Sequence, residues 1–457
     1  MCIYKLTSIT RNKNCSQLIY LYPSNHVICT SKLQIICSPS ATAPQPCPLL
    51  ITVCAVIQMD SAQSTKSSAK STQRSHTTKK TALDTLRSVR NAIADSFRGA
   101  PRSCAIGDSV DVRTVDDVTN VTLLAQGGYN SIWLVKLRAQ LEISQATSSN
   151  GSPSPAQCYF IDKFILRLPC KDTLLPSQVA NEVAFKRFVA SNLPHVPVPR
   201  VYDYRATDDS ETSFIVEEFI DGTPLNATWM TFTESQKDSI ARKLATIVVD
   251  LVQVRFDMIG GLDPEGFNAA PTVEGPKLFK GRGKFHKNEC YPIGPYKSTK
   301  DYMLACYAKE IYYYTHASED DIDADLFEDV SITDFIEQLH RKQASLAATD
   351  ITDEPFVLIH GDLHGRNIMM KGDQIAAVID WEFAGSYPLS ETLSDGGIDV
   401  VEADSEELDN ENTVWGRKIR WYIRELAVER RWEREDIDLL MGDGNSELGK
   451  ARSEMIP

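Results

Sequence analysis

A polar segment between two short apolar runs is the feature that most constrains the fold of this 457-residue chain. The run FVLI at 356–359 and the run IAAVI at 375–379 each have the length and composition of a buried strand. Between them lies HGDLHGRN, residues 360–367, and Asp380 follows directly after the second run. Because two short neighbouring strands return the chain to its starting point, we expect the polar segment and Asp380 to meet at one place.

Asp362, Asn367 and Asp380 form a set of side chains that suits phosphoryl transfer. In that chemistry one carboxylate accepts the proton of an attacking hydroxyl, while an amide and a second carboxylate hold Mg²⁺ on the nucleotide phosphates. Oxygen ligands of this kind are the ones that Mg²⁺ prefers. The residues therefore indicate a phosphotransferase centre at this place.

The segment HGDLHGRN followed by IDWE resembles the catalytic core of the aminoglycoside phosphotransferase family, whose fold is protein-kinase-like. The resemblance extends over residues 118–435 and is strongest around 356–388. It implies that Asp362 is the catalytic base and that Asn367 and Asp380 are the metal ligands. It also implies that ATP and Mg²⁺ are the cofactors.

Three further polar residues, two within this segment and one after it, each have two interpretations. His360 occupies the position of the kinase catalytic-loop histidine, and a role in supporting the loop is favoured over a catalytic one. His364 stands where protein kinases often carry a phosphate-contacting lysine, so it is a catalytic candidate, with loop stabilisation as the alternative. Glu382 can support the site or face the substrate, although a solvated or structural role is favoured.

The stretch QGGYNS, residues 126–131, lies between two predicted strands and resembles the family's reduced glycine-rich loop. Gly127 and Gly128 would let backbone N–H groups approach phosphates, and Asn130 or Ser131 can add a donor. The alternative is an ordinary hairpin turn, for which two glycines between strands are also typical. A Walker-type GxxxxGK[ST] loop is absent from the sequence.

Arg167, in the run FILRLP, stands where the family has its phosphate-contacting lysine. Arginine at this position resembles the fungal members of the family, and its planar fork can contact phosphate and carboxylate together. Glu182 is the expected partner of Arg167, because it lies on the apolar face of a predicted helix, where an unpaired charge is costly. The alternative for Glu182 is a solvent-exposed edge position.

The stretch FIVEEFIDGTPL, residues 214–225, resembles the strand and hinge that join the two lobes of the family's fold. Backbone groups from Glu218 to Ile220 are expected to meet the adenine edge. These residues and the glycine turn complete the predicted nucleotide site.

The pattern of predicted elements indicates an α+β fold with two lobes, a β-rich N-terminal lobe and a mainly helical C-terminal lobe. Strands are predicted at 121–124, 132–137 and 159–168, with a long loop over 141–157. The predicted organisation begins with a disordered or non-structural extension (1–80), followed by a helix with a linker (81–117). A nucleotide-binding N-lobe (118–220) and a helical C-lobe with the catalytic loop and acceptor site (221–457) come next.

The composition narrows the class of partner and the compartment. A formal net charge of −14 argues against a general nucleic-acid or membrane-surface binder. Six of the eleven cysteines lie within the first 54 residues and no CxxC pair occurs, which favours a reduced, cytoplasmic environment. The longest apolar run is too short for a membrane-spanning helix. A small-molecule hydroxyl acceptor, with amino groups as one option, is the expected partner, and no protein partner is indicated.

The predicted function is an ATP-dependent phosphotransferase that moves the γ-phosphate of ATP to a hydroxyl of that small acceptor. One alternative is a catalytically inactive, kinase-like binding module, which the arginine at 167 and the short glycine turn permit. The other is a metal-dependent hydrolase in which His360, Asp362, His364 and Asp380 bind zinc.

Overall fold

The computed structural model describes six stretches of the chain: 118–145, 157–170, 172–273, 282–318, 329–394 and 397–442. It also describes the single residues 321, 322, 327, 449, 451 and 455. The predicted N-terminal extension (1–80) and the helix with its linker (81–117) lie outside the described residues.

A five-stranded antiparallel sheet forms the first part of the fold, with strand order β1-β2-β3-β5-β4. Its apolar residues meet on one face, where Val135, Phe164, Leu166 and Val216 are fully buried. The strands are β1 (Val118–Gln126), β2 (Asn130–Gln145), β3 (Gln157–Pro169), β4 (Val201–Arg205) and β5 (Phe214–Glu218).

The predicted loop over 141–157 is wrong in part, because β2 and β3 continue into it. They pair as far as Gln145 and Gln157, after a register shift between Lys136 and Leu141. Cross-strand hydrogen bonds hold the residues of this segment in the ladder. The alternation of Leu141 and Ile143 with polar residues was the available signal in the sequence, and the prediction of a loop overlooked it.

Helix α1 (Ser177–Asn192) lies between the sheet and the rest of the protein. One side of α1 packs on the sheet through Val179 and Val183. The other side packs through Phe185 and Val189 on the C-terminal part. Polar side chains on α1 are therefore enclosed between two apolar contacts.

The second part of the fold is mainly helical, and two small sheets frame the polar segment 360–367. These sheets have the orders β11-β8-β7 and β10-β9-β6. The helices are α2 (Leu225–Thr228), α3 (Glu234–Val252), α4 (Thr299–His316), α5 (Ile332–Ala348), α6 (Glu406–Glu429) and α7 (Arg434–Leu440). The short strands are β6 (Thr223–Pro224), β7 (Arg255–Phe256), β8 (Phe356–Ile359), β9 (Ile368–Lys371), β10 (Gln374–Val378) and β11 (Gly385–Pro388).

The predicted α+β class, with a β-rich first part and a mainly helical second part, is confirmed. Strand β8 coincides with the apolar run at 356–359, and β10 lies one residue before the run at 375–379. Within the described stretches, none of the helices has the length and apolar character needed to cross a membrane.

Candidate active site

The polar segment 360–367 is held between β8 and β9, and β10 returns beside it. The Ile379 N–H donates to the Asn367 carbonyl at 2.9 Å, which brings the end of β10 next to the segment. Asn367 Nδ2 donates to Asp362 Oδ2 at 3.0 Å and to the Asp362 carbonyl at 2.8 Å. The structure thus brings Asp362, Asn367 and the chain leading to Asp380 together.

Two glycines allow this close packing of the loop. A Cβ on Gly361 would lie 2.3 Å from the Phe383 carbonyl oxygen, and the residue has φ +83°. A Cβ on Gly365 would lie 2.3 Å from the Val400 carbonyl oxygen. Only glycine fits either position, because the approaching atoms belong to the backbone and cannot turn aside.

His360 supports the loop from inside the protein. Its side chain is buried, its Nε2 lies 3.0 Å from the Ile379 carbonyl oxygen, and its Nδ1 accepts from the Asp362 N–H at 3.3 Å. The carbonyl contact assigns the ring proton to Nε2. Burial lowers the pKa of His360 to about 4, although nearby Asp362 and Asp380 oppose the shift. His360 is therefore a neutral structural residue at neutral pH.

The buried His360 makes the stability of the fold depend on pH. The unfolded chain binds a proton near pH 6.5 and the folded protein only near pH 4, so protonation favours the unfolded state between these values. We expect His360 to lower the free energy of unfolding by about 2 kcal/mol between pH 7 and pH 5. Urea titrations at both pH values measure this loss. The His360→Gln variant should show a smaller loss, and an equal loss in both proteins would contradict the assignment.

His364 holds the carboxylate of Asp362. The imidazole Nδ1 accepts from the Arg366 N–H at 3.3 Å, which assigns the proton to Nε2, and Nε2 lies 3.1 Å from Asp362 Oδ1. Burial raises the pKa of Asp362, but the hydrogen bond and charge of His364, with His360 and Arg366, outweigh this and lower it. Asp362 is therefore an ionised carboxylate with one oxygen bound to His364 and the other to Asn367.

Asp380 has a left-handed backbone and points at Arg167. Its φ is 66°, a conformation that costs energy in a residue other than glycine and is concentrated at functional sites. Arg167 Nη2 donates to Asp380 Oδ1 at 2.7 Å, across 213 residues of sequence. The side chain of Asp380 is 30% exposed, while that of Arg167 is buried.

The predicted pairing of Arg167 with Glu182 is present, with Nη1 3.2 Å from Glu182 Oε1. Sequence reasoning missed two charged neighbours. Lys186, one helical turn after Glu182, lies 2.6 Å from the same Glu182 oxygen and 2.5 Å from Glu217 Oε2. The spacing of four residues between Glu182 and Lys186 on an apolar helix was the available signal. For Glu217, the only signal in the sequence was that a charged residue occurs inside the apolar strand β5.

These charges perturb each other strongly because all of them are buried. Burial raises the pKa of Glu182, and the charges of Arg167 and Lys186 counteract it. Burial opposes the charged form of Arg167, yet Glu182 and Asp380 keep its pKa well above the ordinary value. The carboxylates likewise hold the pKa of Lys186 above its ordinary value against the effect of burial. The two cations are thus permanently charged.

The glycine turn between β1 and β2 has space around it. The Gly127 N–H donates to the Asn130 carbonyl at 2.8 Å. A Cβ on Gly127 would make only an ordinary contact with that oxygen, and a Cβ on Gly128 would meet nothing within 4 Å. The neighbouring atoms of the protein would therefore allow a larger residue than glycine at both positions.

The two polar side chains after the turn are used internally. Asn130 Nδ2 donates to Glu382 Oε2 at 2.6 Å. The Ser131 hydroxyl lies 3.4 Å from the Leu168 carbonyl oxygen and accepts from Trp133 Nε1 at 3.0 Å. Their contact with phosphate stays a prediction, and the structure directs both side chains into the protein.

Glu382 is buried beneath the turn. Besides the hydrogen bond from Asn130, its Oε2 accepts from Gln178 Nε2 at 3.0 Å. Burial, reinforced by the charge of Asp380, raises the pKa of Glu382 well above its ordinary value. Of the two roles open from sequence, this position supports the structural one.

The predicted hinge follows β5. The Glu218 N–H donates to the Arg200 carbonyl at 2.8 Å, and the Ile220 carbonyl accepts from the Gly222 N–H at 3.0 Å. The contact of this segment with adenine remains a prediction. The structure places it at the end of the same strand that carries Glu217.

Comparisons with known proteins assign the chain to a family. The chain matches the model of the phosphotransferase enzyme family over residues 150–411, and no curated protein matches it. A thermostable mutant of aminoglycoside phosphotransferase APH(4)-Ia, in its apo form, is 13% identical; the match covers 74% of this chain and 94% of that chain with a TM-score of 0.39. ADP-bound aminoglycoside phosphotransferase APH(2'')-Ib is 14% identical, with 73% and 95% covered and a TM-score of 0.37. Because the family match spans more than half of its length, this chain belongs to the phosphotransferase enzyme family.

Proposed function

We propose that this protein is a small-molecule kinase that transfers the γ-phosphate of ATP to a hydroxyl group of a small acceptor. The observation that carries the proposal is that Arg167, from a distant part of the chain, meets the segment that carries Asp362, Asn367 and Asp380. Carboxylates, an amide and a cation in this arrangement are the parts that phosphoryl transfer uses.

Asp362 is proposed to orient the acceptor hydroxyl and to accept its proton. Its carboxylate is ionised at neutral pH, and its two oxygens are fixed by His364 and Asn367. Its side chain is 30% exposed, so a hydroxyl group can reach it. In this proposal His364 acts by positioning Asp362.

The residues present fit a magnesium ion better than zinc. Asn367 uses its Nδ2 on Asp362, which leaves Oδ1 as a ligand, and Asp380 adds a partly exposed carboxylate. Across the described stretches, no three His, Cys, Asp or Glu side chains form a metal-binding group. Mg²⁺ needs only one or two protein ligands beside phosphate oxygens and water, whereas a zinc site needs three or four. Bound Mg²⁺ would neutralise phosphate charge.

Arg167 is proposed to contact the α- or β-phosphate of ATP. Its Nη1 and Nη2 face carboxylates, while its buried Nε has no hydrogen-bond partner among the residues that the structure describes. A buried donor of this kind is costly unless a ligand satisfies it. The open space at Gly128 would let the backbone of the turn approach the phosphates as well.

The acceptor is proposed to be a hydroxyl compound that carries an amino group. Asp399 lies against the catalytic loop, where its carbonyl accepts from the Gly365 N–H at 2.7 Å, and burial raises the pKa of its carboxyl group. Glu402 adds a second acidic group near Asp399 and pairs with Arg366 on the surface. Acidic side chains near the loop that carries Asp362 suit a cationic acceptor.

A panel assay tests the proposed function. The purified full chain is mixed with Mg·ATP and with aminoglycosides, amino alcohols or neutral sugars, and ADP release is followed while calorimetry measures nucleotide binding. We expect nucleotide binding and ADP release that depends on one class of amino-containing acceptor. Nucleotide binding without turnover on any acceptor would favour a kinase-like binding module, and absence of both would reject the proposal.

A further inference from the structure

A buried lysine that the proposed mechanism does not use lies directly behind Arg167. Lys186 is 1% exposed and joins two elements, since its Nζ contacts Glu182 of α1 and Glu217 of β5. Glu182 offers the same oxygen, Oε1, to Lys186 and to Arg167. Both cations therefore share one carboxylate.

The environment of Arg167 contains more carboxylates than one guanidinium can bind well. Four of them lie within 4 Å of its two terminal nitrogens. The distances are 2.7 Å to Asp380, 3.2 Å to Glu182, 3.7 Å to Glu382 and 3.9 Å to Glu217. Asp380 and Glu182 are bound closely, while Glu217 remains at the limit of an ion pair.

Lys186 explains why Arg167 binds Asp380 and Glu182 closely but not Glu217. It contacts Glu217 Oε2 at 2.5 Å, whereas Arg167 Nη1 stays 3.9 Å from Glu217 Oε1. A buried carboxylate requires a cation, because its desolvation is not otherwise compensated. Without Lys186, the nearest cation available to Glu217 is the guanidinium of Arg167.

We propose that Lys186 is a positioning residue for the nucleotide site: it binds Glu217 and thereby leaves the guanidinium of Arg167 directed at Asp380 and the nucleotide phosphates. The inference rests on the proposed role of Arg167 in binding phosphate. It also links the hinge strand to the phosphate site, because Glu217 directly precedes Glu218.

The test compares nucleotide affinity in three variants of the full chain: Lys186→Met, Glu217→Met and the double variant. Calorimetry measures the Kd for Mg·ADP, and kinetics with the acceptor found in the panel measure the KM for ATP and kcat. We expect Lys186→Met to raise Kd and KM about 10-fold with kcat changed by less than about 3-fold, since Glu217 then draws Arg167 away. The double variant should recover affinity to within about 3-fold of the wild type, because it removes the competing carboxylate.

Lys237→Met is the matched control. Lys237 is also a buried lysine, but it pairs with Glu411 at 3.0 Å between α3 and α6. The Lys237→Met substitution should lower stability, as we also expect for Lys186→Met, yet leave the Kd for Mg·ADP unchanged. If Lys186→Met fails to fold, Lys186→Gln, which keeps a hydrogen-bond donor without the charge, is measured with the same expectations.

The outcomes separate the inference from the proposed function on which it rests. A folded Lys186→Met protein with wild-type Kd would show that Lys186 is only structural, provided that Arg167→Met loses nucleotide affinity. A double variant with the same loss as Lys186→Met would show that Glu217 is not the competitor. If Arg167→Met itself binds Mg·ADP normally, the proposed role of Arg167 fails, and this inference fails with it.

Discussion

Asp362→Asn is expected to lower kcat at least about 1,000-fold while the Kd for Mg·ATP stays within about 3-fold of the wild-type value. The amide cannot accept the proton of the acceptor hydroxyl, and it weakens the pairing with His364 at 3.1 Å. It keeps the size of the side chain and the proximity to Asn367, so the loop should keep its shape. ADP release with the acceptor found in the panel measures kcat, and calorimetry measures Kd.

Asp373→Asn serves as the control for this variant. Asp373 lies in the tight turn between β9 and β10 and is exposed, and its carboxylate accepts from Gln374, the first residue of β10. Asp373→Asn therefore removes the same charge as Asp362→Asn, but at a position outside the catalytic loop. Unchanged turnover in Asp362→Asn would remove Asp362 from the mechanism, whatever the control shows.

Arg167→Met is expected to weaken binding of Mg·ATP by at least about 100-fold and to destabilise the fold by about 3–5 kcal/mol. The loss of stability arises because the partly buried Asp380 loses its closest cation and the buried Glu182 keeps only Lys186 of its two cations. The loss of affinity arises because the unpartnered Nε and the positive charge both disappear. Calorimetry at low temperature measures affinity on the folded protein, and urea unfolding measures stability.

Arg167→Lys distinguishes charge from geometry at the same position. Lysine keeps the positive charge but has no fork to reach Glu182 and Asp380 together, so the fold should be retained better than in Arg167→Met. We expect an intermediate affinity for Mg·ATP. Wild-type affinity in folded Arg167→Met protein would show that this arginine does not contact the nucleotide.

Several parts of the fold could be predicted because their cause is local. The apolar runs at 356–359 and 375–379 became β8 and β10, and the helical spacing of Glu182, Phe185 and Val189 predicted the buried face of α1. The pairing of Arg167 with Glu182 was predictable too, because a glutamate on an apolar face requires a cation. Each of these rests on periodicity or on the cost of an unpaired charge.

Other parts depend on which distant segments meet. Asn130 is an exposed-looking residue beside a glycine turn, yet it donates to Glu382, 252 positions later. The extension of β2 to Gln145 likewise depends on pairing with β3, since the alternation of apolar and polar residues over 141–144 is short and a polar stretch follows it directly. Sequence patterns contain no information on such partners.

The sequence by itself indicated the chemistry that we propose for the centre, because the aspartate, the asparagine and the second aspartate, in that spacing, resemble the catalytic core of the aminoglycoside phosphotransferase family. The tertiary structure alone decided how the buried charges are shared. Arg167 binds Asp380 and Glu182, and Lys186 takes Glu217, only because α1 lies between the sheet and the C-terminal part. The free energy of a buried charge depends on every charge within a few ångströms, and those neighbours are set by the packing of separate elements.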